Sequence, residues 1–131
     1  EPQVDAVVEG FTKGRRKRAR IDVEHGSLVI VRVKAKREIY AAAAFAEVGC
    51  DEHVIASAFG HDLGAVINDL AARLRDAYEA YVNMKADVLS AAGKLAGGGV
   101  AVAILGDVID RLASVASSLL EVAEKVAERL K

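Results

Sequence analysis

The sequence predicts an α+β fold: a small β-hairpin plus a βαβ unit, in the order ββαβ, followed by a long antiparallel α-helical hairpin. Three observations predict it. Apolar and polar residues alternate from Arg18 onward, as in a half-buried strand. Apolar residues then recur at steps of three and four from Leu63 to Leu95, with no proline or glycine between Gly64 and Gly93. The triplet Gly97-Gly98-Gly99 separates that run from a second one of the same rhythm. A chain of 131 residues, 53% apolar and 28% charged, suits one globular domain. In it residues 1–60 form a basic α+β unit, and residues 61–131 form the helical hairpin that shares its core.

Each element has its own signal. Val4 to Val8 reads as a short strand. Ala19, Ile21 and Val23 face one way, and His25-Gly26 supplies a turn whose positive φ suits the glycine. The run Leu28 to Val33 is β-branched and apolar, with Asp22, Glu24, Arg32 and Lys34 at solvent-facing positions. Arg37 to Val48 suits a short helix whose alanines permit close approach to a sheet, closed by Gly49 as a left-handed cap. His53 to Phe59 then reads as a strand lying parallel to the second one through a right-handed crossover.

Asp62 caps a helix of about 34 residues, roughly 50 Å long at 1.5 Å per residue. Its seam is Leu63, Ile67, Leu70, Leu74, Ala77, Tyr81, Met84, Val88, Ala91 and Leu95. The alternation within Val82 to Val88 offers a strand as the alternative there. The last helix carries two adjacent apolar stripes, one through Leu105, Val108, Leu112, Val115, Leu119, Val122 and Val126, the other through Ile109, Ala113, Ala116, Leu120, Ala123, Ala127 and Leu130. Two stripes require more than one partner element. A homodimer or higher oligomer is therefore expected, with Ile109, Ala116, Leu120, Ala123 and Leu130 at its interface, as in a four-helix coiled-coil arrangement.

The net charge of -1 hides an asymmetry. Residues 1–40 carry ten Lys and Arg against six acids, whereas residues 41–131 carry eight against thirteen. The segment Lys13 to Arg37 holds all ten of the former, opposed only by Asp22 and Glu24. Cationic side chains so concentrated can neutralise nucleic-acid phosphates and release condensed counterions. The competing reading is a solvated basic edge that discourages strand-to-strand aggregation. Only Phe11 lies near the basic run, so base stacking finds no support in it.

Other constellations are weaker. A single cysteine excludes an internal disulfide and a multi-thiolate zinc site. Cys50 and His53 have C-x-x-H spacing, with His61 beyond, but a fourth zinc ligand is missing and a buried structural thiol accounts for the pattern better. No nucleophile, base and orienting group stand together, so no catalytic residue, metal or cofactor is assigned and an enzyme is not expected. Gly60-His61-Asp62-Leu63-Gly64 opens a helix without a dinucleotide spacing, which leaves at most a small-ligand pocket near Gly60. The longest uncharged stretch before the final helix, Leu95 to Gly106, falls well short of the ~20 residues a membrane span needs. A soluble cytoplasmic protein without membrane association is the expectation. Scarce Asn, Gln, Cys and Met resemble thermophile usage.

Over residues 28–77 the chain resembles the Alba-like superfamily of archaeal nucleic-acid-binding proteins. The residues that carry the resemblance are Lys34 after the strand, Tyr40-Ala-Ala-Ala-Ala-Phe45 in the helix, Gly49, Val54-Ile55 in the next strand, and Gly60 followed by Leu63 and Val66. The resemblance implies nucleic-acid contact at a pair of lysines ending the strand. Lys34 matches the first, Ala35 replaces the second, and Lys36 is adjacent. The functional expectation is an oligomeric protein that contacts DNA or RNA backbone phosphates without reading bases. Its contact residues are Lys13, Arg15, Arg16, Lys17, Arg18, Arg20, Lys34, Lys36 and Arg37. The alternative is a structural or adaptor subunit that docks a protein partner through its helical hairpin.

Overall fold

The computed structural model describes residues 2–92 and 99–131 and has the element order α1 (Pro2–Thr12), β1 (Arg18–Val23), β2 (Gly26–Lys34), β3 (Glu38–Val48), β4 (Asp51–Gly60), α2 (Leu63–Ala92) and α3 (Gly99–Arg129). The fold is α+β. Its four strands form an antiparallel meander in the order β1-β2-β3-β4, with α2 and α3 packed as a hairpin on one face. The chain linking α2 to α3, with Leu95 and the first two glycines of the triplet, lies outside the described residues.

Two expected elements are of the opposite type, one helix being a strand and one strand a helix. Arg37 to Val48 is not a helix: its greater part is β3, paired antiparallel with both β2 and β4, so the order is a meander rather than ββαβ, without a parallel crossover among the described residues. The stretch Tyr40 to Phe45 lies inside this strand. Alanine's intrinsic helix preference is worth only tenths of a kcal/mol per residue over most others. Here the period-two pattern outweighs it. Ala42, Ala44 and Ala46 are buried under the helices, while Ala41, Ala43 and Phe45 alternate onto the opposite face. Small side chains on the inner face let α2 and α3 approach the sheet closely.

Val4 to Val8 belongs to α1, not to a strand. Val4, Val7, Val8 and Phe11 fall at helical spacing and are buried, and Pro2 sits in the first turn, where its missing N–H costs nothing. Gly14, at φ 70°, ends this helix, and the Arg15 and Arg16 amides both return to the Gly10 carbonyl.

The β1–β2 turn also works differently from expectation. His25, not Gly26, takes the positive φ, at 61°. Gly26 is needed for space: a Cβ there would stand 2.5 Å from Val115 Cγ1 and 2.7 Å from the Phe45 carbonyl oxygen. The β3–β4 turn places Gly49, φ 64°, between the paired residues Val48 and Asp51. A register shift at Ala44/Phe45 inserts a bulge into the β3–β4 ladder.

The core joins Ile21, Leu28 and Ile30 of the sheet to Val66, Ile67, Leu70 and Leu74 of α2, and to Val115, Leu119, Val122 and Val126 of α3. Residues 78–92 are helical throughout. From Val108 to Leu130 both stripes of α3 are occupied within the chain, whereas Leu105 is exposed. Ile109, Ala116 and Ala123 are buried, and Leu120 and Leu130 pack against the core. The interface expected at these five residues is thereby corrected, because α2 covers one side of α3 while the sheet and α1 cover the other. Ion pairs tie the helices at Arg75–Glu124 (3.4 Å), Lys85–Asp110 (2.6 Å) and Arg129–Asp5 (3.1 Å). No helix among the described residues is long and apolar enough to cross a membrane.

Candidate nucleic-acid interface

The meander sends the chain's charge to opposite ends of the sheet. The α1–β1 loop (residues 13–17), the β2–β3 turn (residues 35–37) and the β4–α2 junction lie at one end; the β1–β2 and β3–β4 turns lie at the other. The first end gathers Lys13, Arg15, Arg16, Lys17, Arg18, Lys34, Lys36 and Arg37, all exposed. The second carries Asp22, Glu24, Glu47, Asp51 and Glu52.

Arg32 builds the basic end. It shares the inward face with Leu28 and Ile30 and is 9% exposed, which corrects its expected solvent-facing placement. Its Nη2 donates to the Gly14 carbonyl at 3.0 Å, and its backbone N–H donates to the Lys17 carbonyl at 2.8 Å. These two bonds clamp the 13–17 loop beside the end of β2, so two cationic segments distant in sequence become neighbours. The Arg32 Nε has no hydrogen-bond partner. A guanidinium is accepted in this partly apolar place because its other donors hold the loop. Its neighbour across the ladder, Tyr40, donates to Glu38 Oε2 at 2.9 Å. Burial, and then that carboxylate, raise the Tyr40 pKa above its ordinary value, with the nearby Arg32 guanidinium acting in the opposite direction.

Eight of the nine expected contact residues meet at this end, and Arg20 does not. It pairs with Asp22 at 2.8 Å and reaches Glu52 on β4 at 3.6 Å, across the outer side of β2 and β3. Those acids hold the Arg20 pKa above its ordinary value, Asp22 contributing most. Lys13 is also engaged, bonded to Glu9 at 2.7 Å, which holds the Glu9 carboxyl below its usual range. Arg16 lays its aliphatic stem over Gly10, where a Cβ would come within 2.6 Å. At this end, the cations without an ion pair among the described residues are Arg15, Arg16, Lys17, Arg18, Lys34, Lys36 and Arg37.

The histidine and cysteine positions are dispersed. Cys50 is exposed in the β3–β4 turn rather than buried, and His53 is near it at the acidic end. His61 lies at the other end of β4, where its Nδ1 meets the Glu38 carbonyl oxygen at 2.9 Å. Among the described residues no three His, Cys, Asp or Glu side chains are grouped to hold a metal ion. Asp62 caps α2, accepting from the Gly64 amide at 3.2 Å. Beside it a cleft of about 590 Å³ opens between Phe11, Tyr40, His61 and Leu130.

Sequence reasoning missed the outer face of the sheet. Val29, Val31, Val33, Ile39, Ala41, Ala43, Phe45, Val54 and Phe59 alternate away from the helices, and Phe59 is 82% exposed. The uninterrupted apolar run Leu28 to Val31 was the available signal, since a strand with one wet face should alternate. Comparison with known proteins finds no matching family model, no matching curated protein and no matching solved structure.

Proposed function

We propose that the protein binds nucleic acid through the basic end of its sheet, contacting backbone phosphates without base-specific readout. One observation carries this reading: Arg32 clamps the Arg15–Lys17 loop beside the Lys34–Arg37 turn, so seven cations without an ion pair among the described residues share one surface. Edge protection needs only a charge or two per strand. Long flexible Lys and Arg side chains on a loop and a turn suit phosphates, whose recognition fixes position rather than sequence. The acidic opposite end repels a polyanion and limits the footprint to about four to six phosphates per chain.

The test is binding to mixed-sequence duplex DNA and RNA by variants of equal charge change. Arg15→Glu, Lys17→Glu and Lys36→Glu together remove binding, whereas Arg73→Glu, Arg111→Glu and Lys131→Glu together leave most of it. Equal losses from both sets would mean that bulk charge alone governs adhesion, and the assignment of the site would fall.

A second reading, docking of a protein partner on the helical hairpin, has its own support. Tyr78, Val82, Met84 and Leu89 of α2, with Ile104 and Leu105 of α3, are exposed apolar side chains beyond the part of the hairpin that the sheet covers. Failure of wild type to bind nucleic acid at low salt would leave this reading as the better one.

A further inference from the structure

The outer face of the sheet is an apolar surface that no described helix covers, crossed by the ion-paired Arg20. Along β2 and β3 it presents Val29, Val31, Val33, Ile39, Ala41 and Ala43, flanked on β4 by Val54 at 58% and Phe59 at 82% exposure. Four strands of up to eleven residues span about 19 Å by 34 Å, a flat projection near 600 Å² before side-chain relief is counted. That is the scale of the ~800 Å² per partner found in stable interfaces. Nucleic acid is poorly matched to it, because the middle of the face is branched aliphatics and alanines and its central cation, Arg20, is already held by Asp22 and Glu52. A flat apolar sheet face instead suits another sheet face, stacked about 10 Å away.

Charge decides which sheet. On this face Arg18 stands at the basic end, in one row with Val31, Ala41 and Phe59; Asp22, Glu47 and Glu52 stand at the acidic end, where Arg20 engages Asp22 and Glu52 and Glu47 has no ion pair among the described residues, and the Lys36–Arg37 and Cys50–Asp51 turns extend the two charges beyond the strands. Two copies stacked with strands running the same way would bring basic end to basic end. A two-fold axis lying between the sheets and perpendicular to the strands does the opposite, setting each basic end over the partner's acidic end. We infer that the outer face is the interface of a homodimer, two copies of this chain stacked sheet on sheet with strand directions reversed. The contact is isologous and closes on itself. It leaves the 13–17 loops and 35–37 turns of the two copies at opposite extremities of the dimer. Apart from Arg18, it rests on residues other than the loop and turn cations of the nucleic-acid reading.

The experiment is sedimentation equilibrium of the full chain without nucleic acid, combined with spin-label distances. Wild type sediments as a dimer at micromolar concentration, and Val33→Lys with Phe59→Lys, two exposed positions whose replacement leaves the circular dichroism unchanged, sediments as a monomer. Glu47→Lys raises the dimer dissociation constant at least about threefold at low salt, and mixing that variant with Arg18→Glu restores association as a heterodimer. Nitroxides on Cys50, the only cysteine, read the orientation: about 35 Å apart for reversed strands, about 15 Å for strands running together. A monomeric wild type, a dimer that survives Val33→Lys with Phe59→Lys, or the short distance would each overturn the inference.

Discussion

Two neighbouring turn residues divide the work that the sequence assigned to one. His25 holds a left-handed conformation that costs an L-residue roughly 1 kcal/mol, so His25→Gly raises stability by up to about 1 kcal/mol in urea unfolding. Gly26→Ala lowers it by at least about 2 kcal/mol, because the new methyl meets a backbone carbonyl that cannot move aside. The turn was legible in His25-Gly26. The division of labour was not, since it depends on Val115 of α3 arriving from far along the chain. Tyr40 gives a pH signature. Its folded pKa is raised, chiefly by burial and then by the Glu38 carboxylate, so the phenol's contribution to stability is intact below about pH 10 and is lost as pH climbs through the raised folded value. Tyr40→Phe removes that part of the alkaline decline, as followed by chemical unfolding at a series of alkaline pH values.

At the scale of elements, β3 shows where propensity misleads. The stretch EIYAAAAFAEV satisfies an alanine-rich helix as well as a strand with a small inner face, and only the pairing of both its edges decides. Ala42→Val or Ala44→Val, on the inner face, costs about 1–3 kcal/mol by forcing α2 and α3 off the sheet, while Ala41→Val and Ala43→Val on the outer face cost little. Equal costs at odd and even positions, measured by thermal unfolding, would contradict the strand. The α2–α3 hairpin, by contrast, was plain in the sequence, because apolar steps of three and four sustained over 30 residues line up on one face of a helix and on no face of a strand. Its second stripe implied a second partner correctly. The partner is the sheet and α1 of the same chain, which a one-dimensional pattern does not distinguish from another copy. Arg32 sits between these cases. Among ten basic residues in one segment nothing in its neighbours marks it as buried, except that it shares parity with Leu28 and Ile30. Arg32→Met keeps the packing and the backbone bond to Lys17 but loses the guanidinium bond to Gly14, so amide exchange of residues 13–17 quickens and phosphate affinity falls although every exposed cation is retained.

For the whole molecule, antiparallel meandering converts a charge asymmetry along the sequence into a charge separation along the sheet. The basic and acidic segments alternate at the turns, and each reversal of the chain returns like charge to the same end. The concentration of cations was legible by counting. Their assembly into one surface, and the diversion of Arg20 to the acids of β1 and β4, required the register. We propose a polyanion site on one end and a self-complementary face between the ends as the account of function. The most direct test of its central claim is the salt dependence of wild-type affinity for mixed-sequence duplex. With about four to six phosphates neutralised per chain, log affinity falls against log salt with a slope of about -4 to -5, and unrelated sequences bind alike. A slope of only about -1 to -2, or no binding at low salt, would contradict it.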